Sequence, residues 1–255
     1  QIGKVVVSLD TPPMIPAPQA TGQFTVHDNA AYLVTGGLAG FGFATARWLL
    51  DRGAGEVVLV GRRGTDTPGL DARLAPLGEA AKRVTVHACD VSDREHVAAL
   101  VDTLDTSLRG VFHAATVLDD ALLANLDAER LETVIAAKAK GAWHLHEATR
   151  GLPLDAFVLF SSVTTWLGNP GQGNYVAANG YLDGLAATRR AQGLPATCLN
   201  WGPIGDVGML ADNEAVKTGL EARLGAPALT GEQAIAELEA ALDHGLSGEA
   251  ISPMD

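Results

Sequence analysis

From Ala31 onward, short apolar runs alternate with longer stretches in which apolar residues recur every three or four positions. The short runs predict buried strands, and the periodic stretches predict amphipathic helices. We predict strands at 31–35, 56–61, 83–88, 109–114, 155–161, 195–201 and 249–252. Strands that alternate with helices favour a parallel sheet covered on both faces. The expected fold is therefore α/β and doubly wound, with a seven-stranded parallel sheet and helices on both faces.

Two helix starts and one irregular segment can be located within this pattern. Ser92 with Glu95 matches the capping box, in which the two side chains satisfy each other's backbone N–H groups. Thr230 with Gln233 matches it as well, so we predict helices after the third and sixth strands. The segment at about 205–226 interrupts the strand and helix rhythm with four glycines, and we expect it to be a mobile lid.

Residues 1–28 differ from the rest of the chain. Lys4–Leu9 is a short β-like run, and the proline-rich stretch after it can neither continue a helix nor donate to a sheet ladder. We expect 1–28 to be a strand and linker, and 29–255 to be one folded domain. The first residues lack the basic head and apolar run of a secretory signal, which indicates a cytoplasmic setting.

Composition and charge argue against two classes of partner. A net charge of −12 opposes long-range attraction to phosphate backbones, so we expect no nucleic acid partner. The apolar runs are too short to cross a bilayer, so we expect no membrane span.

Cys89 and Cys198 lie in strand-like apolar stretches, where we expect buried reduced thiols. We predict no metal site.

A glycine-rich turn follows the first predicted strand directly and leads into a helix. Gly36 permits a tight turn, Gly40 lets the backbone approach a pyrophosphate, and Gly42 allows close helix packing. The helix N-terminus stabilises negative charge. An ordinary glycine-rich turn is the alternative interpretation. The predicted nucleotide-binding residues of this turn are Thr35, Gly36, Gly37, Leu38, Gly40, Phe41 and Gly42.

The second predicted strand ends at Arg62 and Arg63, where a NAD-binding fold would carry an acidic residue for the ribose. Two guanidinium groups suit a 2′-phosphate instead, so NADPH is favoured over NADH. A pair of solvated arginines is the alternative. Asp90 and Val91 close the third strand, at a second position that we expect to contact the cofactor.

Ser162 and Tyr175 are candidate catalytic residues, one after the fifth strand and the other thirteen positions later at the start of a helix. The serine can hold a carbonyl oxygen while the tyrosine supplies a proton to it. A tyrosine with a pKa of about 10 needs a nearby cation to stabilise its phenolate. Position 179, four residues on and on the same helix face, is Asn179, which supplies no cation. Lys138 and Lys140, on the predicted helix before the fifth strand, are both candidates.

These motifs resemble those of two related protein families. The run Thr35 to Gly42 resembles the T-G-x-x-x-G-x-G motif of the short-chain dehydrogenase/reductase superfamily, which implies a Rossmann-like fold. The exchange of lysine and asparagine between Lys138 and Asn179 resembles the ketoreductase domains of modular polyketide synthases and the related animal fatty acid synthases. The stretches VFHAATVLDD, KAKGAWHLHEAT, FVLFSSVTTWLGNPGQGNYVAANGYLDGLA and LNWGPIGDVGM extend this resemblance over roughly 30–255.

The resemblance implies an activity and a role for each site residue. The chain would use NADPH to reduce a β-ketoacyl thioester on acyl carrier protein, with 29–255 as the catalytic ketoreductase domain. Tyr175 would donate the proton, Ser162 would bind the carbonyl, Lys138 would lower the tyrosine pKa, and Asn179 would join a proton relay. Asp90 would bind the adenine. Further cofactor contacts would come from Ala114, Ala115, Gly202 and Pro203. Thr116 stands where this family commonly has glycine.

Further residues imply the side from which the substrate approaches. Leu118, Asp119 and Asp120 form the triplet that marks the B-type of this family, which makes the 3R alcohol. The opposite type has tryptophan eight residues before the tyrosine, where this chain has Leu167. We expect these four residues and Met209 to orient the substrate.

The same resemblance implies partners and leaves alternatives open. Gly3 to Leu9 resembles the last strand of an enoylreductase domain, so the expected partners include enoylreductase and dehydratase domains and an upstream structural ketoreductase half. An inactive, nucleotide-binding structural module is one alternative. A free-standing dehydrogenase or epimerase of the same fold is another, although it would carry lysine at position 179.

Overall fold

A computed structural model of the protein describes residues 24–211 and 213–251. The strand predicted at Lys4–Leu9 and most of the expected linker lie outside these residues. Residues 24–28, which we expected to belong to the linker, pack on the folded domain: the Phe24 ring stacks on Trp48 at 6.2 Å between centroids, and the backbone N–H of Phe24 donates to Asp243 Oδ1 at 2.7 Å.

The sheet is parallel throughout and has the strand order β3-β2-β1-β4-β5-β6-β7. Six strands form its body: β1 Ala31–Thr35, β2 Glu56–Gly61, β3 Val84–Ala88, β4 Leu108–His113, β5 Ala156–Ser162 and β6 Thr197–Trp201. A three-residue edge strand, β7 Glu249–Ile251, pairs with β6. The predicted strand ends differ from the observed ones by at most two residues. The doubly wound α/β class is therefore confirmed.

Helices fill the connections between the strands. They are α1 Gly40–Asp51, α2 Leu70–Leu74, α3 Arg94–Leu104, α4 Ala128–Ile135, α5 Gly141–Thr149, α6 Thr164–Leu167, α7 Gly173–Ala191, α8 Glu214–Leu224 and α9 Gly231–His244. A turn of π-helix, Ala136–Lys140, joins α4 to α5. The predicted lid segment contains α8 and a short 3-10 turn at Gly208–Leu210.

Two apolar layers cover the sheet, one on each face. Leu49 of α1 and Leu238 of α9 belong to the first layer. Leu100 of α3, Leu145 of α5 and Leu182 of α7 belong to the second. The central strands β1 and β5 are buried on both faces and are largely apolar, whereas the edge strand β3 is partly exposed. Cys89 and Cys198 are buried free thiols, as expected.

One of the two predicted helix caps is confirmed. Thr230 and Gln233 form the reciprocal capping box at the start of α9. The prediction for Ser92 is wrong, because α3 begins one residue later and Asp93 accepts the N–H groups of its first turn. Ser92 instead donates its own N–H and hydroxyl to Asp90 Oδ1, at 2.9 and 2.7 Å. Asp93, and not Ser92, is therefore the N-cap residue of α3.

The strand order reverses between β1 and β4, which creates a crevice at the carboxyl ends of the strands. The Ala114 N–H donates to the Thr35 carbonyl at 3.1 Å, so these two strand ends stay joined. Gly36 follows with a φ of 66°, and a Cβ there would lie 2.8 Å from the Ala114 carbonyl. Only glycine fits this turn. The fold thus places the glycine-rich loop beside the end of β4.

Candidate active site

A cavity of about 1200 Å³ opens at this crevice. Its wall combines the glycine-rich loop, the carboxyl ends of β5 and β6, the first turn of α7 and the predicted lid. Thirteen of the residues predicted from the sequence line it: Gly36, Gly40, Phe41, Gly42, Ala114, Leu118, Asp120, Lys138, Ser162, Leu167, Tyr175, Gly202 and Pro203.

Other predicted residues are described by the structure but do not line this cavity. They are Thr35, Gly37, Leu38, Arg62, Arg63, Asp90, Val91, Ala115, Asp119 and Asn179. Met209 lies in the 3-10 turn Gly208–Leu210, and its side chain is outside the described part of the structure. Several of these residues form hydrogen bonds that hold the cavity-lining residues in place.

The glycine-rich loop is packed as tightly as its sequence suggests. Gly40 has a φ of 56°, and a Cβ there would lie 3.0 Å from Gly208 of the lid segment. A Cβ on Gly42 would overlap the Gly36 carbonyl. The Leu38 side chain covers Gly61 at the end of β2. The loop therefore leaves open space only on its cavity side, where the α1 N-terminus provides a site for negative charge.

A buried chain of hydrogen bonds fixes the backbone of Lys138. His113 Nε2 lies 2.9 Å from the Lys138 carbonyl, which can only accept, so the proton is on Nε2. Nδ1 then accepts from the Thr35 hydroxyl at 2.7 Å. Burial lowers the pKa of His113 to about 3, with the nearby Lys138 acting in the same direction, so the ring is neutral. Thr35, assigned to the cofactor from the sequence, thus supports the lysine.

Lys138 is 2% exposed and lies in the π-helical turn. Its Nζ donates to the Phe160 carbonyl at 2.7 Å and lies 5.7 Å from the centre of the Tyr175 ring. Burial lowers the pKa of Lys138 to about 8. Lys140 is exposed and pairs with Glu132. The structure therefore places Lys138, and not Lys140, beside the tyrosine.

Tyr175 lies in the first turn of α7 and faces the cavity. Burial raises its pKa, while the nearby Asn179 and Ser162 side chains lower it by less. Ser162 Oγ accepts two bonds from Thr164, at 3.2 Å from its N–H and 3.1 Å from its hydroxyl. The Ser162 hydroxyl also lies within hydrogen-bonding reach of the Tyr175 hydroxyl. The serine and tyrosine hydroxyls are thus neighbours in the wall of one cavity.

Asn179 lies one turn after the tyrosine on α7. Its Nδ2 donates to the Tyr175 carbonyl at 2.8 Å. Its Oδ1 is buried and has no hydrogen-bond partner among the described residues, and the same holds for Trp201 Nε1. A buried polar atom without a partner costs about 1–3 kcal/mol, so such atoms mark places where a ligand or water can bind. Trp201 lines the cavity.

Arg73 is a cavity residue that the sequence did not suggest. It lies in α2, and its Nη1 donates to the Leu38 carbonyl at 3.2 Å and to the Pro68 carbonyl at 3.1 Å. Its guanidinium therefore lies beside the glycine-rich loop. Arg62 and Arg63 are exposed and do not line the cavity. No motif surrounds Arg73 in the sequence, so only the packing of α2 identifies it.

Asp90 and Val91 are held by contacts within the protein. The Asp90 carboxylate accepts from Ser92, which lowers the pKa of Asp90, and Arg62 lowers it further. His144 Nδ1 lies 3.0 Å from the Val91 carbonyl. Neither contact tests the adenine contact predicted for Asp90, which stays a prediction.

The triplet from Leu118 to Asp120 is anchored to two helices. Asp119 forms an ion pair with Arg130 of α4. Asp120 Oδ2 accepts from Gln172 Nε2 at 2.8 Å, next to the start of α7. Asn174 Nδ2 donates to the Asp119 carbonyl at 2.8 Å. The triplet is therefore a fixed part of the cavity mouth, and it is tied to the helix that carries Tyr175.

Two further positions shape the cavity. Gly202 and Pro203 line it, but the Gly202 N–H already donates to Ile251 and the Pro203 carbonyl already accepts from Leu229, each at 2.8 Å. Thr116, where glycine was expected, lines the cavity with an exposed side chain and does not fill it.

The described residues suit a nicotinamide dinucleotide. The glycine-rich loop forms a tight turn that lines the cavity with its backbone and leaves no room for a Cβ at Gly36 beside Ala114, and Arg73 supplies a cation at its side. Within the described chain, no cluster of three or more His, Cys, Asp and Glu side chains is arranged to hold a metal ion. None of the described helices is both long and apolar enough to span a bilayer.

Comparison with known proteins agrees with this geometry. A family model described as KR domain matches residues 30–206. Polyketide synthase GfsA of Streptomyces halstedii is 49% identical over 229 residues, which is 89% of this chain and 3% of that protein. A solved structure of A-type ketoreductases from a modular polyketide synthase has a TM-score of 0.87 and 44% identity. An A1-type ketoreductase structure has a TM-score of 0.86 and 43% identity.

Each of these two structural matches covers 94% of this chain and 50% of the other chain. The chain thus spans half the length of those ketoreductases and a small part of the synthase that it matches.

Proposed function

The chain belongs to the KR family, the ketoreductase domains of modular polyketide synthases, and we propose that it reduces the β-keto group of an acyl thioester with NADPH. One observation carries this proposal. Tyr175, Ser162 and Lys138 line one cavity together with the glycine-rich loop, and the Lys138 ammonium lies 5.7 Å from the centre of the Tyr175 ring. These are the groups that a ketone needs in order to accept a hydride and a proton in one site.

The proton comes from Tyr175. When bound, NADPH supplies the hydride to the carbonyl carbon, and negative charge develops on the oxygen. Burial raises the pKa of Tyr175, so its hydroxyl keeps its proton until that oxygen becomes basic enough to take it. Ser162, which lines the same cavity, donates its hydroxyl proton to the same oxygen and holds it within reach of the phenol.

Lys138 stabilises the phenolate that proton transfer leaves behind. Its ammonium lies over the Tyr175 ring and is fixed by the Phe160 carbonyl. With a pKa lowered to about 8, it is still mostly charged at neutral pH. The unpaired Oδ1 of Asn179, one helical turn away, suits a relay that returns a proton from solvent to the tyrosine.

NADPH, rather than NADH, is the proposed donor. Arg62 and Arg63 occupy the end of β2, where no acidic residue is available for a ribose 2′-hydroxyl. Arg73 adds a third guanidinium beside the glycine-rich loop. Guanidinium groups bind phosphate by charge-assisted hydrogen bonds, so this arrangement supports recognition of a 2′-phosphate.

We propose the 3R alcohol as the product. The triplet from Leu118 to Asp120 and the leucine at position 167 support this configuration, since the B-type of the family carries both features. The two matched solved structures are A-type, so the overall fold is common to both types and the proposal depends on these loop residues. Because the triplet is tied to α7, it can direct the thioester relative to Tyr175.

The proposed partners follow from the relatives, which are multidomain synthases. We propose that acyl carrier protein delivers the substrate and that 29–255 is the catalytic domain. A structural ketoreductase half and enoylreductase or dehydratase domains would belong to the same synthase. The chain matches half of each of the two solved ketoreductases.

The experiment compares wild-type protein with Tyr175→Phe. NADPH oxidation is followed with a β-ketoacyl N-acetylcysteamine thioester, and NADPH binding is measured separately by fluorescence. We expect turnover by the wild type, near-complete loss of turnover in the variant, and equal NADPH binding, because only the proton donor is removed.

The same assay separates the alternatives. An inactive structural module would bind NADPH without turnover in the wild type. A free-standing dehydrogenase would reduce small ketones as well as it reduces the thioester. Unchanged turnover in Tyr175→Phe would mean that another acid protonates the product.

A further inference from the structure

A polar cluster lies next to the catalytic residues and joins α7 to β5 and β6, with Ser161 at the edge of the cavity. It joins Asp183 of α7, Ser161 of β5, and Cys198 and Asn200 of β6. Asn200 is completely buried, and Cys198 is 1% exposed. The mechanism above uses none of these side chains. Burying polar groups costs free energy unless they form hydrogen bonds. The hydrogen bonds within this cluster therefore indicate what it does.

Asn200 connects Asp183 to the end of β5. Its Nδ2 lies 3.2 Å from both carboxylate oxygens of Asp183. The same nitrogen lies 2.9 Å from Thr165 Oγ1 and 3.4 Å from the Ser162 carbonyl. The carboxylate therefore orients an amide whose other contacts are with the residue that binds the carbonyl and with the short helix after it.

Ser161 connects the same cluster to α7. Its hydroxyl oxygen lies 3.2 Å from Asn200 Nδ2, and its proton is donated to the Asn179 carbonyl at 3.3 Å. Since Ser162 follows Ser161 directly, one network supports both Ser162 and the helix that carries Tyr175. A change in Asp183 would reach both catalytic hydroxyls through Asn200.

Asp183 also supplies the negative charge of this region. The Cys198 thiol donates to Asp183 Oδ1 at 3.2 Å, and burial raises the pKa of this thiol, so it stays neutral. The Lys138 Nζ donates to the Phe160 carbonyl on β5 and lies over the Tyr175 ring on α7, and the Lys138 carbonyl accepts from neutral His113 on β4. Cys198 on β6 and Asp183 on α7 act on the ammonium electrostatically. Of these groups, Asp183 is the one that carries a formal negative charge and favours the charged lysine.

We propose that Asp183 is a positioning residue for the reduction: it orients Asn200 and the end of β5 that carries Ser162, and it provides the counter-charge that keeps Lys138 protonated. This inference rests on the proposed function, since the groups that it positions are those of the reduction. Asp183 touches neither the cavity nor a reacting atom, so it acts through its neighbours.

The test compares the pH dependence of kcat in wild-type protein and in Asp183→Asn. The asparagine keeps the shape of the side chain and an acceptor for Asn200, but it removes the charge. We expect kcat on the acidic plateau to stay within about threefold of wild type, with the alkaline fall in kcat moved down by about 0.5–1 pH unit. The KM for the thioester should change little.

Two further variants separate charge from geometry. Asp183→Glu retains the charge and should keep the alkaline fall close to its wild-type position. Asp183→Ser removes both the charge and the reach to Asn200, so it should also lower the plateau. Asp102→Asn changes the net charge equally at an exposed site on α3 and should leave the profile unchanged. Thermal unfolding and NADPH affinity verify that each variant is folded.

The outcomes distinguish this inference from the proposed function. An active wild type with coincident profiles for the wild type, Asp183→Asn and Asp183→Ser would overturn the inference alone. A shift in Asp102→Asn as large as the shift in Asp183→Asn would also overturn it, because the effect would then follow net charge and not position. A wild type that binds NADPH without reducing the thioester would overturn the proposed function, and this inference with it.

Discussion

The Lys138 ammonium lies 5.7 Å from the centre of the Tyr175 ring, although 37 positions separate the two residues and they lie on different helical elements. The lysine comes from the π-helical turn, and Asn179 occupies the position one helical turn after the tyrosine. A cation held over a phenol in a buried place stabilises the phenolate far better than a solvated one would. This geometry has measurable consequences.

The alkaline fall of kcat should have a midpoint near pH 8. Burial lowers the pKa of Lys138 to about 8, so the ammonium is lost at a lower pH than in an ordinary lysine. Tyr175 does not explain such a fall, because burial raises its pKa. Initial rates from pH 6 to pH 10, with saturating substrates, measure the midpoint. Lys140→Ala should retain it, and a rate that is constant to pH 10 would contradict the assignment.

Lys138→Met should abolish turnover and stabilise the fold. A shift from 10.5 to about 8 corresponds to a burial penalty of up to about 3 kcal/mol, and we expect a gain of about 1–3 kcal/mol at pH 7. The folded pKa of this base is depressed, so the penalty is complete below pH 8 and is relieved as the pH rises towards 10.5. Urea unfolding at pH 7 and pH 10 tests this: the gain should shrink at the higher pH.

Arg73→Leu should weaken binding of 2′,5′-ADP by about 10- to 150-fold and leave binding of 5′-AMP unchanged. The two nucleotides differ in the 2′-phosphate, and a charge-assisted contact to it contributes about 1.5–3 kcal/mol. Calorimetric titrations of the wild type, Arg73→Leu and Arg62→Leu compare the two arginines. Arg150→Leu, at an exposed position after α5, is the matched control. An equal loss for both nucleotides would show damage to the loop instead of lost phosphate recognition.

The product from an unbranched β-ketoacyl thioester on acyl carrier protein should be the 3R alcohol. A preference of about 2.7 kcal/mol between the two approaches of the thioester gives roughly a hundredfold excess. Gln172→Ala removes the side chain that holds Asp120, so the excess of 3R should decrease in that variant. Chiral chromatography of the released acid measures both products. A predominantly 3S product from the wild type would exclude the B-type assignment.

Asp105→Gly should stabilise the protein by about 1 kcal/mol. Asp105 ends α3 with a φ of 45°, a conformation that is strained for any residue with a Cβ. Asp102→Gly, within the same helix, is the control and should cost about 1 kcal/mol. Thermal unfolding of the two variants shows opposite shifts in Tm if the strain at position 105 is real.

Local patterns determined much of the fold. The apolar runs located every body strand to within two residues. For the central strands the reason is that a strand buried on both faces must be continuously apolar. Thr230 with Gln233 identified a cap because both partners lie within one turn of helix. The cap predicted at Ser92 is wrong because Asp93, one position later, competes for the same N–H groups. The capping-box pattern does not rank the two residues.

The sequence by itself therefore determined the α/β architecture, the glycine-rich turn, and the pairing of Ser162 with Tyr175 across one strand and helix connection. Only the tertiary structure decided that Lys138 is buried and Lys140 is paired at the surface. It also identified Arg73 at the cavity and Asp183 next to the catalytic residues. The physical reason is the direction of each side chain. Local residue spacing places a residue on an element, but the packing of distant elements against one another decides which group that residue meets.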